Sequence, residues 1–385
     1  MVFNNLTSKG NYIKIITVSL CFFILECFLY PVKEKELTLT EFREKFLKTA
    51  VKIDAAVRIP TLLVDESQIY VCEKGQSEIH IFDKLNGKEL KVIGRKGEGP
   101  QEFIYIVDLY LSKDSIYVTS PQKLSIFTKS GMFIKEHRIP YFYDGAIIPF
   151  GDNYIYYQYL YDTKSTKPSI NIVYSFMDSN FKKTKTIFKV PYTRPPSQIE
   201  NKTAFEVFHH CRETRVYKNN FYLADTELGF YIAVFDITGN KLYEINQDYD
   251  KVPIDNKVRE MVEKNIRARD RENRFFSRRY IYFKEYFPAF VNFFIYDDKI
   301  FVFKYLRPGS KGYSELVVLN LKGNLLAKKD LPLGSLTEIL GVKNEISYFN
   351  GEIYFYADFD EYVNIFKLSL DELYRYYFGT GTKRN

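Results

Sequence analysis

Asp114-Ser115-Ile116-Tyr117-Val118, followed by Ile126-Phe127-Thr128 and Gly131, decides how this chain is read. The first stretch sets two turn formers ahead of three residues that favour a pleated strand. The second sets an apolar pair, a turn former and a glycine where one strand reverses into the next. Two hairpins in succession make a four-stranded antiparallel unit.

The unit recurs along the chain. Its first stretch returns as Ile69-Tyr70-Val71, Tyr154-Ile155-Tyr156, Phe221-Tyr222-Leu223, Ile300-Phe301-Val302 and Ile353-Tyr354-Phe355. Its second returns as Ile81-Phe82-Asp83 with Gly87, Val234-Phe235-Asp236 with Gly239, and Val318-Leu319-Asn320 with Gly323. Phe176-Met177-Asp178 and Ile365-Phe366-Lys367 hold the same place without the glycine. The six copies lie 47, 38, 67, 79 and 53 residues apart. A bare propeller blade takes roughly 40–50 residues, so the intervals of 67 and 79 predict insertions. A four-stranded sheet cannot bury both faces alone; stacking in a closed ring buries them and leaves only short edges. The expectation is an all-β chain: a six-bladed β-propeller of four-stranded antiparallel blades over residues 49–378. Thr49–Asp54 would complete the last blade, built around 348–370.

Between the first two copies stands Gly94-Arg95-Lys96-Gly97-Glu98-Gly99-Pro100-Gln101-Glu102-Phe103. This segment resembles the G-x-x-G-x-G-P-x-E-F connection of six-bladed propellers related to NHL and TolB-type propellers, which abound among exported bacterial proteins. It departs at Gln101, where that family commonly has glycine. The resemblance implies the fold over about 60–370 and says little about function. A phosphate-cradling loop would open a helix, whereas this one runs into the strand-like Phe103-Ile104-Tyr105-Ile106-Val107. Gly94, Gly97, Gly99, Pro100, Glu102 and Phe103 are therefore read as a structural connection.

Tyr (33) and Phe (34) are abundant and Trp is absent, which suits strands. Of 55 basic and 48 acidic residues, ten and four fall within 257–284, giving that segment +6 of the net +7. A near-neutral body with one basic segment argues against a nucleic-acid binder. The segment coincides with an insertion whose residues 253–276 read as a helix. Ile254, Val258, Met261, Val262 and Ile266 form its apolar stripe. Glu260–Lys264 and Glu263–Arg267 are favourable pairs. Arg267, Arg269, Arg271, Arg274 and Arg278, with Phe275 and Phe276 among them, form either a solvated face or a patch for a partner, an anion or lipid headgroups.

The N-terminus has Lys9 and Lys14 ahead of an apolar run from Ile15 to Tyr30, broken by Thr17, Ser19 and Glu26. Residues 1–32 read as a signal peptide or membrane anchor, which places the body outside the cytoplasm: periplasmic, envelope-anchored or extracellular. Whether the segment is cleaved, lipidated or retained stays open. Residues 33–48 read as a linker with a short helix over 38–48, begun by the capping box Thr38-Leu39-Thr40-Glu41; residues 379–385 read as a tail. Cys72 and Cys211 allow one bridge or two buried thiols, the second being the expectation. Adjacent strand residues face opposite ways, so His209 and His210 cannot share an ion.

Asp65, Asp108, Asp225 and Asp358 fall near the innermost strands, where carboxylates can hold a divalent cation over a central channel. Acids are also ordinary turn residues, and no catalytic residue is assigned. The leading expectation is a monomeric binding or scaffolding propeller for a protein, peptide or glycan. The alternative is a metal-dependent hydrolase or lyase of lactonase type.

Overall fold

A short run ending in Asp, Asn or Thr, then a few residues, then a positive-φ position reverses the chain tightly. Asp83 Oδ1 accepts the amides of Leu85 and Asn86 at 2.9 and 3.0 Å. Asp236 Oδ1 accepts those of Thr238 and Asn240, and Asn320 Oδ1 those of Lys322 and Asn324, at 2.8–2.9 Å. These short side chains satisfy turn amides that no strand can reach. Gly131 takes φ +77° at the reversal, and a Cβ there would lie 2.7 Å from Ile93 of the preceding blade. Where the third copy lacks glycine, Phe181 adopts φ 61°. Its ring lies 4.3 Å from both Tyr154 and His137.

The computed structural model describes residues 37–53, 60–73, 77–139, 145–162, 169–192, 198–199, 202–208, 211–269, 279–306, 314–333, 346–359 and 362–379. Six four-stranded sheets follow one another, every pair antiparallel. Blade 1 is Pro60–Val64, Gln68–Glu73, Ile79–Asp83 and Glu89–Ile93; blade 2 is Asp108–Leu111, Ser115–Ser120, Lys123–Thr128 and Phe133–Arg138. Blade 3 is Gly145–Phe150, Asn153–Asp162, Ser169–Met177 and Lys183–Pro191; blade 4 is Thr214–Tyr217, Asn220–Ala224, Phe230–Phe235 and Lys241–Gln247. Blade 5 is Asn292–Tyr296, Lys299–Leu306, Ser314–Asn320 and Leu325–Leu331. Blade 6 is Ile346–Phe349, Glu352–Phe359 and Tyr362–Ser369, completed from the other end of the chain by Leu47–Ile53. First strands of neighbouring blades approach one another, so they line the axis.

The apolar core is divided into six clusters, each between two adjacent blades. One of them joins Val51, Ile53 and Tyr354 of blade 6 to Leu62, Val64 and Phe82 of blade 1 and so closes the ring. The closing strand runs from Leu47 against Leu368 to Ile53 against Val363, two residues earlier than the sequence pattern suggested. Blade 6 needs no glycine after Ile365-Phe366-Lys367 because its fourth strand arrives from the N-terminus.

Three helices accompany the ring among the described residues. α1 (Leu39–Phe46) carries the anticipated capping box: Thr38 Oγ1 accepts from the Glu41 amide, and Glu41 Oε2 accepts from the Thr38 amide. It stops at Phe46 because Leu47 already pairs with the last blade. α2 (Asn256–Arg269) occupies the basic insertion. α3 (Leu370–Phe378) was not anticipated, although Ser369 and Glu372 spell its cap. No helix among the described residues is long and apolar enough to cross a membrane; residues 1–36, with the apolar run, lie outside them. Cys72 and Cys211 are both buried thiols.

Antiparallel topology sorts the turns onto two rims. The first-to-second and third-to-fourth hairpins fall on one, here the hairpin rim. The second-to-third loops and the links between blades fall on the other, the connection rim.

Candidate functional site

The two long intervals place their extra residues on the connection rim, in the links from blade 3 to blade 4 and from blade 4 to blade 5. They also meet. Lys202–Val207 from the first pairs in parallel with Arg279–Phe283 from the second, Thr203 opposite Arg279 and Val207 opposite Phe283; Gln198–Ile199 adds a third strand. Arg259 of α2 donates to the Ile254 and Lys284 carbonyls, both at 2.9 Å, and its guanidinium lies 5.3 Å from the Phe283 ring. Ile254 and Val262 are buried, but Met261 is 46% exposed, so the apolar stripe is narrower than its sequence suggested.

Beneath this module lies a group of buried charges. Arg212 bonds Asp225 at 3.2 Å and also pairs with Glu227, while its guanidinium lies 5.0 Å from the Tyr192 ring. Lys284 pairs with Glu206 at 2.9 Å. Arg215 donates to Glu213 at 2.9 Å, to Asn292 Oδ1 at 2.9 Å and to the Phe293 carbonyl at 3.2 Å, tying the innermost strands of blades 4 and 5. Burial pushes the Asp225 carboxyl above its usual range, against the opposing pull of Arg212 and Lys284. Burial likewise raises the Cys211 thiol, and Glu213 adds to it. An uncompensated charge in such a place is strongly unfavourable.

The four aspartates read as channel candidates do not form one set. Asp65 stands on the hairpin rim: its Oδ1 accepts the Ser67 and Gln68 amides, and its Oδ2 takes the Tyr70 hydroxyl and the Lys129 ammonium. Burial pushes that carboxyl up, but Lys129, the two amides and Tyr70 outweigh it and hold it below its usual value. Asp108, Asp225 and the backbone of Asp358 lie toward the connection rim, at the head of a first strand or the end of a second. Asp108 accepts from the Tyr110 hydroxyl at 3.1 Å and from the Leu109 amide; the side chain of Asp358 lies outside the described set. Among the described residues no three His, Cys, Asp or Glu side chains gather to hold a metal ion.

The Gly94–Phe103 connection is organised by Glu102, which accepts from the Gly99 amide at 2.9 Å and from Arg95 Nε at 2.8 Å. A Cβ on Gly97, at φ +157°, would fall 2.1 Å from Glu102 Oε2. Lys123 donates to the Gly99 carbonyl at 2.9 Å, and Phe103 is fully buried between blades 1 and 2. Pro100 is exposed at the tip. Of the basic patch, Arg267 is exposed and bonds Glu263 at 2.8 Å. The Arg269 side chain, Arg271, Arg274, Arg278, Phe275, Phe276, His209 and His210 lie outside the described residues.

On the hairpin rim, a cleft of about 390 Å³ opens where blades 5, 6 and 1 meet, lined by Glu66, Lys84, Tyr296, Phe349, Asn350 and Glu352 among others. Lys84 donates to the Asp65 carbonyl at 2.8 Å and lies 4.9 Å from the Tyr354 ring. Burial lowers its ammonium below the usual lysine range, against Glu352.

Sequence reasoning missed Arg212, Glu213, Arg215, Glu206 and Lys284. Their partners lie up to 78 positions away, so no local spacing marks them.

A closed ring of six four-stranded blades, with its two long insertions in the links between blades, defines a β-propeller. The chain belongs to a 6-bladed beta-propeller family, whose model matches residues 47–302. No curated protein matches it. Among solved structures it is similar to BF0058 of Bacteroides fragilis NCTC 9343: 12% identity, 84% of this chain and 95% of that one, TM-score 0.47. It is also similar to the Neurospora crassa Pan2 WD40 domain (7%, 84% and 96%, TM-score 0.43) and to BamB from Moraxella catarrhalis (11%, 80% and 71%, TM-score 0.32).

Proposed function

We propose that this chain is an exported, monomeric binding propeller, with kinship to NHL and TolB-type propellers, that takes a protein or peptide partner on its connection rim. The observation that carries this reading is the insertion module. Two segments far apart in sequence build one sheet over a single sector of the ring. The ring closes without them, and added loops on a rigid scaffold are where recognition usually resides. The exposed side of α2 carries Lys257, Lys264 and Arg267, and the sequence adds Arg271, Arg274 and Arg278, which favours a partner with an acidic face.

Reversing the charge of Arg267, Arg271 and Arg274 tests it. Capture of the partner from envelope extracts should weaken and lose most of its salt dependence, since exposed charges are screened within about 10 Å at 0.1 M salt. Equal, salt-independent capture by wild type and variant rejects the basic patch and leaves a neutral partner such as a glycan. Asp108, Asp225 and Asp358 on a common rim favour one competing reading, a lactonase-type hydrolase or lyase with a cation in the channel. A stoichiometric divalent cation that survives dialysis and is lost in Asp225→Asn would replace the binding reading with that one.

A further inference from the structure

The cleft of about 390 Å³ on the hairpin rim is shaped by the packing of blades 5, 6 and 1. The first turn of blade 6 is held there from several sides. Tyr348 donates its hydroxyl to the Ile295 carbonyl of blade 5 at 2.6 Å and accepts the Gly351 amide at 3.2 Å. The Gly351 carbonyl takes the Leu370 amide at 2.9 Å. Gly351, at φ +80°, lies so close to Tyr296 that a Cβ would fall 2.7 Å from that ring. The cleft is thus preformed, the usual condition for a small-ligand site.

Glu66, Lys84, Glu352 and Asp371 bring its charges. Glu352 is engaged by Lys367 at 2.5 Å and by the Tyr354 hydroxyl, and Asp371 by Arg375 at 2.9 Å. The Asp65 carboxylate behind them is held by Lys129, Tyr70 and two turn amides. Lys84 differs. Its ammonium gives one hydrogen to the Asp65 carbonyl at 2.8 Å and lies 5.2 and 4.9 Å from the Phe349 and Tyr354 rings. Among the described residues no carboxylate forms an ion pair with it. A half-buried ammonium with donors to spare favours an anionic acceptor. Glu66, exposed at the mouth, with Glu352 and Asp371 disfavours more than one negative charge. Tyr296 and Phe349 supply flat walls for an organic body.

We propose that this cleft binds a small organic monocarboxylate, its anionic group on Lys84 and its ring or apolar body against Tyr296 and Phe349. The site is separate from the partner surface of the connection rim and stands or falls apart from it.

Calorimetric titration of the full-length chain tests it. Glucuronate stands for a free acidic sugar and N-acetylphenylalanine for a peptide C-terminus; glucose and N-acetylphenylalanine amide are their uncharged counterparts. At least one carboxylate should bind about tenfold or more tightly than its counterpart, and Lys84→Met should abolish the difference. The carboxylate that binds identifies the source. Two milder variants keep the test decisive should Lys84→Met melt early. Asn350→Asp adds a negative charge at an exposed position of φ 48°, a conformation that Asp tolerates, and should weaken binding several-fold. Glu66→Gln removes an opposing charge and should strengthen it. A Lys84 that only braces the blade 1 turn would produce neither change. Failure of both carboxylates to bind, equal binding of the uncharged counterparts, tighter binding of inorganic phosphate, or unaltered affinity in both mild variants overturns the proposal.

Discussion

On the hairpin rim the recurrent Asp and Asn residues cap turn amides within four residues, as Asp236 does for Thr238 and Asn240 and Asp65 for Ser67 and Gln68, with a few longer ties such as Lys218 to Asp298 added between blades. On the connection rim Arg215 reaches Asn292, 77 positions away, and two insertions from different links share one sheet. The first rim is assembled from local chemistry repeated with each blade. The second depends on blades 4 and 5 having docked side by side, because its partners meet only then. Recurrent turns therefore build the scaffold, while the two long insertions accumulate where docking of neighbouring blades brings distant segments together.

The largest effect should come from the connection rim. Arg212→Met leaves Asp225 and Glu227 without their shared cation, and breaking a buried pair in this way costs about 3–5 kcal/mol. Urea unfolding measures it; a loss below about 1 kcal/mol would show that the buried charges do not depend on one another.

Glycine positions should follow. In Gly239→Val a Cβ would sit 2.8 Å from Phe176 at φ +73°, so about 1–3 kcal/mol is expected from strain of this kind. Gly97→Val should fall in the same range without selectively abolishing partner binding. Normal stability with lost binding would make the Gly94–Phe103 connection a ligand loop.

Acid should separate the rims by sign. Asp65 is held below its ordinary 3.8 in the folded chain. Its contribution is thus complete above about pH 4 and lost as pH falls through the folded value. The stability gap between wild type and Asp65→Asn should close on acidification. Asp225 is held above 3.8, so wild type should lose stability relative to Asp225→Asn as pH rises from about 4 through the folded value. Parallel slopes for the two variants would erase the distinction. The smallest stability effect, within about 0.5 kcal/mol, belongs to charge reversal at Arg267 on the exposed face of α2, and the triple reversal with Arg271 and Arg274 should nevertheless lose partner capture.

The blade count was legible because strand runs and turn residues recur with every copy, and because aromatic and β-branched side chains leave the period-two pattern little choice. The α1 cap was legible for the same local reason. Its true end was not: Leu47 and Lys48 fit a helix, and their pairing with Leu368 and Lys367 overrides that preference. The α2 stripe was overread at Met261, since burial there depends on how much of the helix the insertion sheet covers. The shared sheet had no local mark, since its strands come from separate insertions.

Residue order alone determines the hairpins, because a capped turn and the strands beside it are settled over a few bonds. Closure of the ring, the rim on which each aspartate stands and the burial of Arg212 with Asp225 are decided only in three dimensions. Gly87 shows the physical reason: a Cβ at that position would lie 2.0 Å from the carbonyl oxygen of Lys52. That contact exists only once the first blade has docked against the strand that closes the last.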